Sequence, residues 1–137
     1  MVNLIIDGKN ITVENGITIL EAARSAGINI PTLCYLKDIN EIGACRVCVV
    51  EIEGNANLCA ACNTQAEDGM VIYTNSPRVR TARRINLELI LSAHNTNCTS
   101  CVRNGNCTLQ TLCRDLNITD IPFEVTYKKK KWDTSIP

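Results

Sequence analysis

The sequence of 137 residues is poor in aromatic side chains and has no excess of charge of either sign. It holds one Trp, one Phe and three Tyr, and its 14 basic residues equal its 14 acidic residues. A base-stacking surface for nucleic acid needs aromatic side chains, and binding to phosphates or anionic lipids needs a basic surface. We therefore expect no nucleic-acid partner.

Long apolar runs are also missing. No stretch approaches the roughly 18 apolar residues that a membrane-spanning helix requires. The N-terminal residues MVNLIIDGKN have no basic segment followed by an apolar core and a small-residue cleavage site, so no secretory signal peptide is predicted. We expect a cytoplasmic protein without a direct membrane span.

Cysteine, in contrast, is abundant, with nine residues in the chain. In a reducing cytoplasm disulfides are rare, and closely spaced cysteine pairs indicate ligation of a metal ion or cluster. An odd number of cysteines would also leave one thiol unpaired in a complete disulfide framework. The sequence therefore predicts metal or cluster binding.

The N-terminal half shows the patterns of a small α+β domain. The predicted strands cover residues 2–6, 11–13, 47–52 and 70–74. Asp7-Gly8 between the first two strands is a hairpin signal. Thr18 and Glu21 have the spacing of a capping box, which predicts the start of a helix over residues 18–26.

From Ser76 the pattern changes to helix. Ser76-Pro77 predicts a helix N-terminus, and the helix should continue to about residue 93. Helical spacing predicts a buried face of Val79, Ala82, Ile85, Leu89 and Ala93. The basic residues Arg78, Arg80, Arg83, Arg84 and Lys128 to Lys131 are predicted to face solvent or a docking partner. A further helix is predicted near residues 108–116.

A first group of cysteines comprises Cys34 and the pairs Cys45/Cys48 and Cys59/Cys62. Two different sets of four cysteines from this group could bind a metal centre. The two pairs together resemble a zinc ribbon, in which four thiolates hold one tetrahedral ion. Alternatively, Cys34 replaces Cys59, and the set holds a [2Fe–2S] cluster.

The loop between these cysteines favours the cluster. The sulfides of a [2Fe–2S] centre are stabilised by backbone N–H groups from a loop that wraps around them. Residues 34–48 supply such a loop, and Gly43 and Ala44 are small enough for a close backbone approach.

A second group reads HNTNCTSCVRNGNC and contains His94, Cys98, Cys101 and Cys107. One imidazole and three thiolates are a known set for structural zinc. The same four side chains also suit a [4Fe–4S] cluster with one imidazole in place of a thiolate. His94 is the only histidine of the chain and lies four positions before the first of these cysteines.

Both groups together resemble a known family. The segments PTLCYLKDINEIGACRVCVVEIEG, DGMVIYTNSPRVRTARRINLELILSAH and CTSCVRNGNCTLQTL carry the resemblance, which extends over residues 2–121. They are similar to the N-terminal region shared by [FeFe] hydrogenases, the large iron–sulfur subunit of complex I and NAD(P)-linked formate dehydrogenases.

The resemblance implies an α+β, plant-type ferredoxin-like β-grasp domain over residues 1–77. A small helical module with a His-ligated [4Fe–4S] cluster follows over residues 78–121, and residues 122–137 form a C-terminal tail. The implied [2Fe–2S] ligands are Cys34, Cys45, Cys48 and Cys62. The implied [4Fe–4S] ligands are His94, Cys98, Cys101 and Cys107.

Cys59 and Cys113 match no ligand position of the family, and we expect both to be small buried residues. The sequence shows no glycine-rich phosphate loop, no further cysteine-rich segment after Cys113 and no general acid–base pair. These absences predict a non-catalytic electron-transfer subunit and not a self-sufficient enzyme.

The resemblance implies a place in a hetero-oligomeric oxidoreductase of the hydrogenase, formate dehydrogenase, transhydrogenase or electron-bifurcating type. The electron donor would be a flavoprotein or NAD(P)H-oxidising subunit, and the acceptor a catalytic subunit or a ferredoxin. Two alternatives remain at this level: a zinc-stabilised interaction module, and an N-terminal fragment of a longer [FeFe] hydrogenase.

Overall fold

The computed structural model describes residues 1–124, which divide into two compact units, Met1–Leu87 and a second that begins at Glu88. The strands are β1 (Val2–Ile6), β2 (Lys9–Val13), β3 (Val49–Ile52), β4 (Cys59–Ala60) and β5 (Val71–Tyr73). The helices are α1 (Ile19–Ser25), α2 (Pro77–Ser92) and α3 (Thr108–Asp115), with a 3₁₀ turn at Cys98–Ser100.

The first unit is built on a mixed five-stranded sheet with the order β2-β1-β5-β3-β4. The β1–β2 hairpin turns at Asp7 and Gly8, whose φ angles of 50° and 80° suit a two-residue turn with both central residues left-handed. Strands β1 and β5 are parallel, so a long crossover must connect them, and this crossover contains α1 and the first cysteine group. The predicted α+β, β-grasp architecture is confirmed.

Helix α1 begins with the predicted capping box. The Thr18 hydroxyl accepts a hydrogen bond from the Glu21 N–H at 3.2 Å, and the Glu21 carboxylate accepts one from the Thr18 N–H at 3.4 Å. Ile19 and Leu20 are fully buried against the apolar face of the sheet. The cap therefore fixes the start of a helix that packs against the sheet.

Helix α2 begins where the sequence predicted, because the Ser76 hydroxyl accepts a hydrogen bond from the Val79 N–H at 3.3 Å. The predicted buried face is only partly right. Val79 is buried and Ala82 half-buried, but Ile85, Leu89 and Ala93 are exposed.

The core-facing side of α2 instead repeats every four residues and runs through Val79, Arg83, Leu87 and Leu91. Arg83 is 3% exposed, so its prediction as a solvent-facing residue is wrong. Its guanidinium donates hydrogen bonds to backbone carbonyls of the first unit, and these bonds compensate for the burial of its charge. Because arginine is usually exposed, the residue type gave no sign that this position is buried.

In the second unit, α3 agrees with the helix predicted near residues 108–116 and buries Leu112. Most of the predicted tail, including Lys128 to Lys131, lies outside the described residues. Within residues 1–124, no helix is both long enough and apolar enough to cross a membrane.

Replacing Thr18 with Ala should lower the free energy of unfolding by about 1 kcal/mol, because the Glu21 N–H loses its capping oxygen. Urea unfolding followed by circular dichroism measures this change. Thr18→Ser keeps the hydroxyl and should retain most of the stability. Equal losses in the two variants would contradict a capping role.

Candidate metal centres

The first unit brings four thiols together. The Cys34 and Cys45 thiols are close enough to shift each other's pKa, and the Cys48 thiol is close enough to raise the pKa of Cys62. The two pairs are close enough for the charge of Cys34 to act on Cys62. These are the four residues that the family resemblance implied for the [2Fe–2S] cluster.

These four cysteines lie on three segments of the chain. Cys34 and Cys45 lie on the loop between α1 and β3, Cys48 immediately precedes β3, and Cys62 follows β4. The Ala61 N–H donates to the Cys48 carbonyl at 3.1 Å, which joins the last two segments. Cys48 and Cys62 are 2% and 0% exposed, whereas Cys34 and Cys45 are half-buried.

Backbone N–H groups of the loop point at the sulfurs. The backbone N–H groups of Cys45 and Ala44 are close enough to the Cys34 sulfur to lower its pKa, and that of Gly43 acts in the same direction on Cys62. Gly43 has a φ of 66°, and an added Cβ would lie 2.7 Å from Nδ2 of Asn63. A side chain at residue 43 would therefore be strained at this φ and would displace the Asn63 amide group. The close approach of this backbone to the cluster sulfides stays a prediction.

These contacts set the protonation of the thiols. Burial, together with the neighbouring Cys48 thiol, raises the pKa of Cys62 to about 12, and burial also raises the pKa of Cys45. Burial acts in the same direction on Cys34, but the N–H groups of Cys45 and Ala44 outweigh it and lower its pKa. Because metals bind thiolates, a bound metal centre must displace the protons of Cys62 and Cys45.

The donor set fits a [2Fe–2S] cluster. Four thiolates with N–H groups aimed at sulfur match the ligands and the surrounding hydrogen bonds of such a centre. Among residues 1–124, no group of three or more His, Cys, Asp or Glu side chains is arranged to hold a single metal ion.

Cys59 lies apart from the sulfur contacts described above. It belongs to β4, where it pairs with Val50, and its sulfur lies 3.6 Å from Nδ2 of Asn55 and 3.9 Å from the carbonyl oxygen of Asn57. Its half-buried position differs from the fully buried one expected from the sequence. All nine cysteines are free thiols.

The second unit contains a cavity of about 370 Å³ that collects the other predicted ligands. His94 follows the end of α2, Cys98 begins the 3₁₀ turn, Cys101 follows this turn, and Cys107 precedes α3. All four line the cavity. The apolar part of the lining comes from Leu91, Leu109, Ile118 and Ile121.

Polar contacts hold the loop between Cys101 and α3. The Arg103 N–H donates to the Cys101 sulfur at 3.4 Å. Gln110 accepts from the Gly105 N–H at 3.0 Å and donates to Oδ1 of Asn104 at 2.9 Å. A cavity that brings together the three predicted thiol ligands, one imidazole and a sulfur-directed N–H fits a [4Fe–4S] cluster.

Cys113 lines the same cavity, which sequence reasoning did not anticipate. Burial raises the pKa of Cys113, and the nearby Cys107 and Cys98 raise it further. Leu109, Gln110 and Cys113 share one face of α3 at helical spacing.

Family models match both units. A model for a 2Fe-2S iron-sulfur cluster binding domain matches residues 1–77. A model for the NADH-ubiquinone oxidoreductase-G iron-sulfur binding region matches residues 83–122. The chain belongs to this iron–sulfur family. It binds one [2Fe–2S] cluster and one [4Fe–4S] cluster, as the family resemblance implied.

Individual proteins with similar sequences are oxidoreductase subunits. The chain is 45% identical, over 99% of its length, to the NADP-reducing hydrogenase subunit HndD of Solidesulfovibrio fructosivorans. It is 44% identical, over 96% of its length, to the NADPH-Fe(3+) oxidoreductase subunit alpha of Geobacter sulfurreducens. The chain spans 25% and 16% of these two proteins.

Two further relatives are shorter proteins. The NAD-reducing hydrogenase HoxS subunit gamma of Cupriavidus necator is 40% identical over 80% of the chain, which spans 46% of that protein. The crystal structure of an NAD+-reducing [NiFe]-hydrogenase in the H2-reduced state superposes with a TM-score of 0.89 at 33% identity. That match covers 99% of this chain and 57% of the other.

Replacing Cys34 with Ala should abolish the [2Fe–2S] signal in electron paramagnetic resonance (EPR) spectra, because one of the four contacting thiols is lost. Cys59→Ala is the matched control and should keep the signal, since the hydrogen-bond partners of its sulfur are the Asn55 side chain and the Asn57 carbonyl. Loss of the signal in Cys59→Ala with retention in Cys34→Ala would overturn the ligand set.

Proposed function

We propose that this chain relays single electrons within a multi-subunit, NAD(P)-linked oxidoreductase. The observation that carries the proposal is the presence, in one short chain, of two separate sulfur-rich sites that match two iron–sulfur family models. Each iron–sulfur cluster, when bound, accepts and releases one electron at a time, so that two such centres suit the stepwise handling of a two-electron donor.

The ligands of the [2Fe–2S] cluster are Cys34, Cys45, Cys48 and Cys62. Their mutual contacts support this assignment. The N–H groups of residues 43–45 orient the thiolates and stabilise negative charge on sulfur. The burial of Cys48 and Cys62 excludes water on one side, and the half-buried Cys34 and Cys45 leave the other side open to a partner.

His94, Cys98, Cys101 and Cys107 are the ligands of the [4Fe–4S] cluster. Their common cavity supports this assignment, and the apolar side chains around it limit the access of water. The ligands of the first cluster then lie within residues 1–77 and those of the second within residues 78–121, with residues 122–137 as a tail.

The partners are a flavoprotein or NAD(P)H-oxidising subunit as electron donor and a catalytic or ferredoxin-linked subunit as acceptor, in a cytoplasmic hetero-oligomer. The names of the relatives support this class of assembly. Leu36, Ile39 and Ile42, on the loop between Cys34 and Cys45, are 58%, 81% and 69% exposed. Exposed apolar side chains beside a redox site are typical of a contact with another subunit.

The direct test is an anaerobic redox titration of the purified protein monitored by EPR. Two distinct signals should appear on reduction by dithionite and disappear on reoxidation, with about one electron taken up at each centre. Cys34→Ala should remove only the first signal. Centres that never change oxidation state would show that the clusters are purely structural and would refute the relay.

His94→Cys should lower the midpoint potential of the [4Fe–4S] cluster. A neutral imidazole in place of a thiolate removes one negative charge from the ligand set, and His ligation raises the potential of Rieske centres in the same way. The [2Fe–2S] potential in the same sample is the internal reference. An unchanged [4Fe–4S] potential in a variant that retains the cluster would exclude this tuning role of His94.

A further inference from the structure

The segment from Cys45 to Cys48 is held by side chains of α2. Nε of Arg83 donates to the Val47 carbonyl at 2.7 Å, and Nη2 donates to the Val49 carbonyl at 2.9 Å. These two carbonyls flank Cys48 on either side. Arg83 therefore fixes the backbone of a proposed cluster ligand from both sides.

Two more contacts complete this arrangement. Nη2 of Arg83 also donates to the Thr74 carbonyl at 3.2 Å, which links the segment to the end of β5. One helical turn along α2, Nδ2 of Asn86 donates to the Arg46 carbonyl at 2.8 Å. Arg46 has a φ of 55°, so this hydrogen bond supports a residue in a conformation that is uncommon outside glycine.

Arg83 brings a positive charge as well as hydrogen bonds. Its side chain is buried, and the neighbours that hydrogen-bond to it in the structure are backbone carbonyls, which carry no formal charge. Burial lowers the pKa of Arg83, while the nearby Cys48 thiolate raises it. Arginine ionises so far above neutrality that the group stays cationic at pH 7.

A buried cation acts strongly on nearby charges, because little water screens it. One-electron reduction adds one negative charge at the four-thiolate site, with no bond made or broken in the protein. A fixed positive charge beside Cys48 stabilises the more negative state. It therefore raises the reduction potential of the site.

We propose that Arg83 is a positioning residue for the [2Fe–2S] centre, which holds the Cys48 backbone in place and raises the reduction potential of the cluster as a buried counter-charge. The proposal rests on the proposed ligand set. The role proposed for Arg83 does not change which residues are ligands. If that role were wrong, the parent protein would still assemble both clusters and reduce them reversibly.

The test compares Arg83→Lys with Arg83→Gln in anaerobic redox titrations of the full chain monitored by EPR. Both variants lose the forked guanidinium, but only Lys retains the charge. Arg80→Gln, which removes an exposed arginine from the same helix, is the control and should keep the parental potential. Circular dichroism verifies that each variant is folded.

The [2Fe–2S] midpoint potential should be lower in Arg83→Gln than in Arg83→Lys, with Lys close to the parent. A cluster retained in Lys and lost in Gln would support the same conclusion, since the two variants differ in charge. Equal potentials, loss of the cluster in both variants, or retention in Gln alone would overturn the counter-charge role.

Discussion

The first unit depends on one constraint: four thiol sulfurs must lie side by side, two of them almost fully buried, with a hydrogen-bond donor for the negative charge that they acquire. The loop before β3 meets this requirement with its own backbone. Gly43 provides an N–H for Cys62 at a φ of 66°, and Ala44 and Cys45 provide theirs for Cys34. The sheet and α1 form the rigid support on which this loop is anchored.

Helix α2 adds a second layer to the same support. Its buried Arg83 hydrogen-bonds to the carbonyls of Val47, Val49 and Thr74, and Asn86 hydrogen-bonds to a fourth carbonyl, that of Arg46. The helix thus does more than cover the core with apolar side chains. It determines the shape of the segment that carries Cys45 and Cys48, and it places a charge beside that segment.

Features determined by neighbouring residues could be predicted from the sequence, and features that depend on distant residues could not. The Asp7-Gly8 turn and the Thr18–Glu21 capping box are local, and both were correctly predicted. The buried face of α2 was missed because Arg83 is buried only when Val47, Val49 and Thr74 bring carbonyls to it.

The eight candidate ligands came from family resemblance, since spacing alone left zinc and iron–sulfur sets open. Cys113 was missed at the second site because its role in the lining depends on how α3 packs in the second unit.

The central claim is that the two sites hold iron–sulfur clusters and not zinc. Iron, acid-labile sulfide and zinc should be measured in protein purified under anaerobic conditions. One [2Fe–2S] and one [4Fe–4S] cluster require about six iron and about six sulfide per chain, with negligible zinc. One or two zinc ions per chain with no sulfide would contradict the account and identify a zinc-stabilised module instead.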